Sequence, residues 1–232
     1  MTMILLDIDD TLIDHSKAER VASIEFGKEF RDEIPDYLEN RFADKWREES
    51  QRHIDRFLRG EISFQEQRRR RIRGIFEDES ISDKKVDRIF ESYLQYYENS
   101  WELFSDVMSF FISNKKCEFA VLSDGAQQQQ EWKLEKTGIR SVFKFVITAE
   151  STGLSKPDPA FFAKACALAK TSPSETFYIG DNVTKDALGA ANAGLNGVWL
   201  NRKSKHVEFD IYSIETLSDF VPGEAIRSTR TS

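Results

Sequence analysis

Two rhythms of apolar positions divide this chain. Residues 3–8 form a short apolar run, broken only by Asp7, that reads as a buried strand. Residues 16–99 carry a helical rhythm instead. Ala18, Ala22, Phe26 and Phe30 recur at every fourth position, as do Leu38, Phe42 and Trp46, a spacing that keeps side chains on one helix face. Ser63 with Glu66 predicts a capping box opening a third helix. Val86, Ile89, Phe90, Tyr93, Leu94 and Tyr97 trace the fullest amphipathic stripe in the sequence. No strand-like run interrupts this block, so a helical bundle of its own is expected there.

After Trp101 strand and helix alternate. Strands are predicted at Glu118–Ser123, Phe143–Thr148, Thr176–Gly180 and residues 197–200. Helices are predicted at residues 126–136, at Pro159–Ala169 and at residues 185–193, the first and last closed by Gly138 and Gly194. Such alternation predicts an α/β fold, a doubly wound parallel sheet with helices on both faces. The domain reading is a core of residues 1–15 and 100–232, split after its first strand by a helical insertion of residues 16–99. Ligands of open α/β sheets bind outside the carboxyl ends of the strands, so the insertion is expected over the site. Residues after Pro222 are polar and expected to fray.

Bulk properties narrow the function. The chain has 232 residues, 40% hydrophobic and 31% charged, a globular profile. Its net charge of -7 argues against nucleic acid or an anionic membrane surface as partner. No run reaches the length of a membrane span, and no basic leader precedes the first apolar run. Two cysteines, Cys117 and Cys166, without a CxxC pair fit a cytoplasmic location and offer no zinc site. His15, His53 and His206 share no metal-ligand spacing and read as surface or packing residues.

Candidate chemistry gathers where the strands stop. The first ends in Asp7-Ile8-Asp9-Asp10-Thr11, the second in Ser123-Asp124-Gly125. The loop after the third carries Ser155-Lys156-Pro157, and the fourth ends in Gly180-Asp181-Asn182 with Asp186 beyond. Acids, a hydroxyl and a lysine on one sheet edge suit phosphoryl transfer. Magnesium takes oxygen ligands, and Asp7 and Asp181 can supply carboxylates, with a backbone carbonyl near Asp9. A carboxylate is also a competent covalent nucleophile. A lysine and a hydroxyl can hold the transferring oxygens.

These four stretches resemble the motifs of the haloacid dehalogenase-like hydrolase superfamily. Asp7-x-Asp9-x-Thr11 matches the first, Ser123 the second, Lys156 the third and Gly180-Asp181-x-x-x-x-Asp186 the fourth, in the family's order. The helical block resembles the family's helical cap of the first type. Gly125-x-x-x-x-Gln130-x-x-Lys133-Leu134, followed by Thr137-Gly138-Ile139, resembles members that act as nucleotidases or small-phosphate phosphatases. The resemblance implies a Rossmann-like core and hydrolysis of a small phosphomonoester, a nucleotide monophosphate or a sugar phosphate, with Mg2+. It implies Asp7 as the nucleophile forming an aspartyl-phosphate. Asp9 would protonate the leaving oxygen and then activate water, which requires it to hold a proton beside Asp7. Ser123 and Lys156 would hold phosphoryl oxygens, and the implied metal set is Asp7, Asp9, Asp181 and Asp186, the last in an outer role. Thr11, Asp124 and Gly125 complete the expected substrate-binding set. Members that cleave carbon–halogen bonds lack the second aspartate, so Asp9 speaks against that chemistry. A phosphotransferase or mutase on the same fold stays open. A phospho-signalling receiver module is disfavoured by the inserted block and by an acceptor on the first strand.

Some positions are expected to stand aside. Asp10 should face away from the metal, because neighbours in an extended stretch alternate sides. Asp124, where many relatives carry asparagine, is expected to point to solvent. The run of arginines at 68–71, with Arg73, is expected to form a solvated cap face, with one of them reaching the substrate as the alternative. Tyr96, Tyr97 and Trp101 are expected in packing, with stacking on a nucleobase as the alternative. The expected assembly is a monomer or small homo-oligomer.

Overall fold

The structure, a computed structural model, describes residues 2–206 and 209–222; the tail expected to fray lies outside them. Strands β1 (Met3–Leu6), β2 (Glu118–Ser123), β3 (Phe143–Thr148), β4 (Thr176–Gly180), β5 (Asn196–Leu200) and β6 (Ser213–Ile214) form one sheet in the order β3-β2-β1-β4-β5-β6. Every neighbouring pair is parallel. The chain winds outward from β1 to β3, then returns to the other side of β1 for β4. The reversal leaves a crevice at the carboxyl ends of these central strands, where open α/β sheets take ligands. Leu6 pairs with Val121 on one side and Ile179 on the other, so the residues after all three strands emerge at one level.

The chain divides into two compact units, Met1–Asp14 with Leu103–Ser232, and His15–Glu102. The second unit holds α1 (His15–Glu29), α2 (Glu39–Leu58), α3 (Phe64–Phe76) and α4 (Asp83–Asn99). Their apolar stripes meet in an aromatic core. Trp46 is fully buried, with ring centroids 5.0 Å from Phe26 and 4.2 Å from Tyr93. Gly27 permits the approach of α2, since a Cβ there would lie 2.5 Å from the Phe42 ring. Truncating Trp46→Ala is expected to cost about 3–5 kcal/mol through the cavity it leaves, read as a lowered midpoint in urea denaturation.

Three expectations for this unit need correction. Leu38 is exposed, because α2 begins only at Glu39 and Leu38 precedes the helix. The capping box is half made: Ser63 Oγ accepts from the Glu66 N–H at 3.1 Å, while the Glu66 carboxylate turns to Arg70 at 2.7 Å. The arginine run is not one solvated face, since successive helix positions turn around the axis. Arg69 and Arg73 reach Asp83 at the start of α4, and Arg69 also Asp87. Arg71 is buried, donates to Gln67 at 2.9 Å and lies over the Trp46 and Phe90 rings.

In the first unit α5 (Val107–Ser113), α6 (Gln127–Lys136), α7 (Ala149–Thr152), α8 (Pro159–Ala169) and α9 (Gly189–Asn192) accompany the strands. A π-helical segment, Val183–Leu188, runs into α9. Phe161 and Phe162 of α8 pack with Leu5, Leu122 and Tyr178 on one sheet face. Phe110 and Phe111 of α5 meet Phe119, from the opposite face, at 5.7 and 5.0 Å. Both faces are therefore covered, which is why β1 is apolar throughout and does not alternate. Among the described residues no helix is long and apolar enough to cross a membrane.

Candidate active site

The site begins with the way β1 ends. Asp7 N–H continues the sheet ladder to Ile179 O at 3.0 Å, which fixes Asp7 at the crevice beside β4. The chain then folds into a tight turn: Ile8 O accepts from Leu12 N–H at 2.8 Å and from Ile13 N–H at 3.0 Å. Asp10 carries this turn in the left-handed region, φ 54°, a conformation aspartate tolerates better than most residues. Its N–H donates to Ile13 O at 2.8 Å.

Lys156 organises the acids. Its ammonium lies 3.0 Å from Asp7 Oδ2 and 2.8 Å from Asp186 Oδ1, and donates to Tyr178 Oη at 3.0 Å. Tyr178 Oη in turn donates to Leu122 O at 2.8 Å. The main chain of Lys156 is held as well, its N–H donating to Asp124 Oδ1 at 2.9 Å. Asp186 Oδ2 accepts from the Asn182 N–H at 2.9 Å, in a space that exists because residue 180 is glycine: a Cβ there would lie 2.3 Å from that oxygen.

Asp7, Asp181 and Asp186 bring one carboxylate oxygen each to within 4.8 Å of one another. One lysine does not balance three acids. Burial, reinforced by Asp186 and Asp181, raises the Asp7 carboxyl well above the usual carboxylate range despite Lys156. Burial and then Asp186 and Asp10 push Asp181 up to about 7. For Lys156 burial works against the charge, but Asp186 and Asp7 outweigh it and hold the ammonium well above its ordinary value. An all-oxygen donor set with surplus negative charge fits a hard divalent cation such as magnesium. Asp186 already gives both oxygens to protein donors, so Asp7 and Asp181 are the better direct ligands.

The expected residues divide into those the structure brings together and those it does not. Asp7, Lys156, Asp181 and Asp186 converge. Ser123 ends β2, buried at 2% exposure, and its Oγ accepts from the Gly125 N–H at 3.2 Å. Asp9 is expected to offer a metal its backbone carbonyl, and its carboxylate lies outside the acidic group. The carboxylate turns to α6, where Lys133 and Gln130 reach it at 2.5 and 2.9 Å. Thr11, expected to touch substrate, is wholly buried, with its Oγ1 unpartnered among the described residues and its carbonyl accepting from Arg202 at 2.8 Å. The turn that frees Asp7 folds Thr11 inward. Asp124 does not point to solvent: a main-chain N–H holds its carboxylate, and Lys185 lies 3.9 Å away. Gly125 acts through the room it leaves, since a Cβ there would lie 2.1 Å from Gln130 Nε2. Tyr178 escaped sequence reading because a tyrosine inside an apolar strand looks like core. Gln130 and Lys133 carried a usable signal, two polar residues one helical turn apart.

Comparison with known proteins agrees with this architecture. Residues 1–194 match the family described as haloacid dehalogenase-like hydrolase. Haloacid dehalogenase-like hydrolase domain-containing protein 3 of Danio rerio is 30% identical over 130 residues, 54% of this chain and 52% of that protein. Pyrimidine 5'-nucleotidase YjjG of Escherichia coli K12 is 34% identical over 82 residues, 35% of this chain and 36% of that protein. The chain thus spans about half or less of these two curated relatives. Among solved structures, the putative HAD-hydrolase YfnB of Bacillus subtilis, bound to magnesium, superposes with a TM-score of 0.78 at 23% identity. That likeness covers 94% of this chain and 95% of that one. A 2-haloacid dehalogenase of Pseudomonas syringae shares the fold with a TM-score of 0.71, at 23% identity over 98% of each chain.

Proposed function

The chain belongs to the haloacid dehalogenase-like hydrolase family, and on that premise we propose that it is a magnesium-dependent phosphatase acting on a small phosphomonoester. The observation that carries this reading is the buried Asp7 carboxylate, 3.0 Å from the Lys156 ammonium and grouped with Asp181 and Asp186. A nucleophile beside a cation and a divalent-metal donor set is suited to phosphorus, whose oxygens bring negative charge that must be neutralised. The nucleotidase relative supports the same substrate class. Two free cysteines fit a cytoplasmic enzyme.

In the reaction an Asp7 oxygen attacks phosphorus and forms an O–P bond. The bond from phosphorus to the ester oxygen breaks, and that oxygen takes a proton from Asp9. A water then gives a proton to Asp9 and attacks phosphorus, releasing Asp7 and inorganic phosphate. Lys156 holds Asp7 in place and offers its charge to the phosphoryl oxygens, beside the Ser123 hydroxyl. Magnesium held by Asp7 and Asp181, with Asp186 behind, would neutralise phosphoryl charge.

A panel of nucleotide monophosphates, sugar phosphates and simple alkyl phosphates, read by phosphate release, tests this. Turnover of at least one ester is expected with magnesium. EDTA should lower it about 100-fold or more, reversibly. Chloride release from 2-chloropropionate, or turnover indifferent to EDTA, would contradict the reading.

A further inference from the structure

Asp9 has to meet an ester oxygen, yet both its oxygens are held from the side by one helix. Gln130 Nε2 donates to Asp9 Oδ2 at 2.9 Å, and Lys133 Nζ lies 2.5 Å from Asp9 Oδ1. The two donors stand three positions apart on α6, on one face. Each is 1% exposed. Lysine is almost never fully buried without a partner, and this one is buried against Asp9. The Gln130 amide makes its bond to Asp9 at some expense: its Oε1 is buried with no partner among the described residues, an arrangement proteins seldom tolerate without a use. Gly125 admits the amide, because a Cβ there would lie 2.1 Å from Gln130 Nε2 and 2.8 Å from its Cδ.

We propose that Lys133 and Gln130, admitted by Gly125, are positioning residues that set the direction of the Asp9 carboxylate toward the leaving oxygen. The inference rests on the phosphatase reading. It gives a function to a stretch of α6 that no step above uses. Neither side chain exchanges a proton in this account; the proton travels from Asp9 to the ester oxygen as the P–O bond breaks.

The discriminating measurement is leaving-group dependence in Lys133→Met, Gln130→Leu and Gly125→Ala, with Lys133→Arg as the conservative variant. Two substrates are compared with magnesium present: the best alkyl phosphate of the panel, and 2,4-dinitrophenyl phosphate, whose leaving oxygen needs no proton. The parameter kcat/KM reports the steps up to loss of the leaving group. It is expected to fall roughly 30-fold or more for the alkyl ester, within the range of general acid catalysis, and less than about threefold for the dinitrophenyl ester, where that catalysis is not needed. Lys133→Arg should recover part of the loss. Equal losses on both esters would mean general structural damage, and no loss on either would mean that Asp9 needs no holder; each overturns the proposal. If Lys133→Met does not fold, as judged by near-UV circular dichroism, Gln130→Leu and Gly125→Ala decide the question on the same criterion. A parent enzyme without Asp7-dependent turnover of the dinitrophenyl ester would remove the phosphatase reading itself, an outcome separate from parent turnover with insensitive variants.

Discussion

Asp7→Asn is expected to lower phosphate release by about 10^4-fold or more, because the variant cannot form the covalent O–P bond. The fold should survive. Asparagine keeps the volume of aspartate, and the position carries surplus negative charge: burial and the neighbouring Asp186 and Asp181 raise the Asp7 carboxyl. A neutral side chain relieves that repulsion, while Lys156 keeps Asp186 at 2.8 Å. Metal-free protein should therefore melt within a few degrees of the parent. Phosphate release and a melting curve together give the check. Appreciable turnover in a correctly folded, contamination-free Asp7→Asn preparation would eliminate the aspartyl-phosphate route.

Lys156→Met should damage both activity and stability. Its ammonium bridges Asp7 and Asp186, with all three side chains at least nine-tenths buried. Breaking a buried pair leaves uncompensated charge, at a cost of about 3–5 kcal/mol. Solvent screening gives little relief at such burial. Magnesium should return part of that stability, since a divalent cation answers the same surplus charge. Activity is expected to fall roughly 10^3-fold, the scale on which one electrostatic donor at a reacting oxygen matters. Urea denaturation with and without magnesium measures the first effect, and kcat with the best ester the second. A denaturation midpoint equal to that of the parent would show that the carboxylates do not depend on Lys156.

Much of the fold was legible in the residues. The bounds of β2, β3 and β4 follow from apolar runs between turn-forming residues, and β-α alternation suffices for a parallel sheet. The elements that were missed are short or lack a period. Helix α5 has seven residues, five of them apolar, too few to display a helical face. Strand β6 has two residues and exists through pairing with β5. The segment Val183–Leu188 is π-helical and starts ahead of the expected helix, because Asn182 caps it by accepting from the Thr184 and Lys185 N–H groups. The unit boundary falls at Asp14 and Leu103, in linker residues where periodicity gives no edge.

The candidate site was legible as a set of strand ends, since a parallel sheet delivers all its carboxyl ends to one edge whatever the side chains do there. Its internal arrangement was not. Asp7 and Asp9 sit two positions apart, but a turn at Asp10 gives them different partners: Lys156 meets Asp7, while Gln130 and Lys133 of α6 meet Asp9. Asp124 was expected in solvent and instead holds the main chain of Lys156. Local periodicity, caps and turn residues determined the elements, their order and the edge where chemistry gathers, because each depends on neighbours a few positions away. Which acid meets which cation was decided only by tertiary structure. The partners of Asp9 lie 121 and 124 positions along the chain, and no local pattern encodes a pairing made by packing a helix against a distant turn.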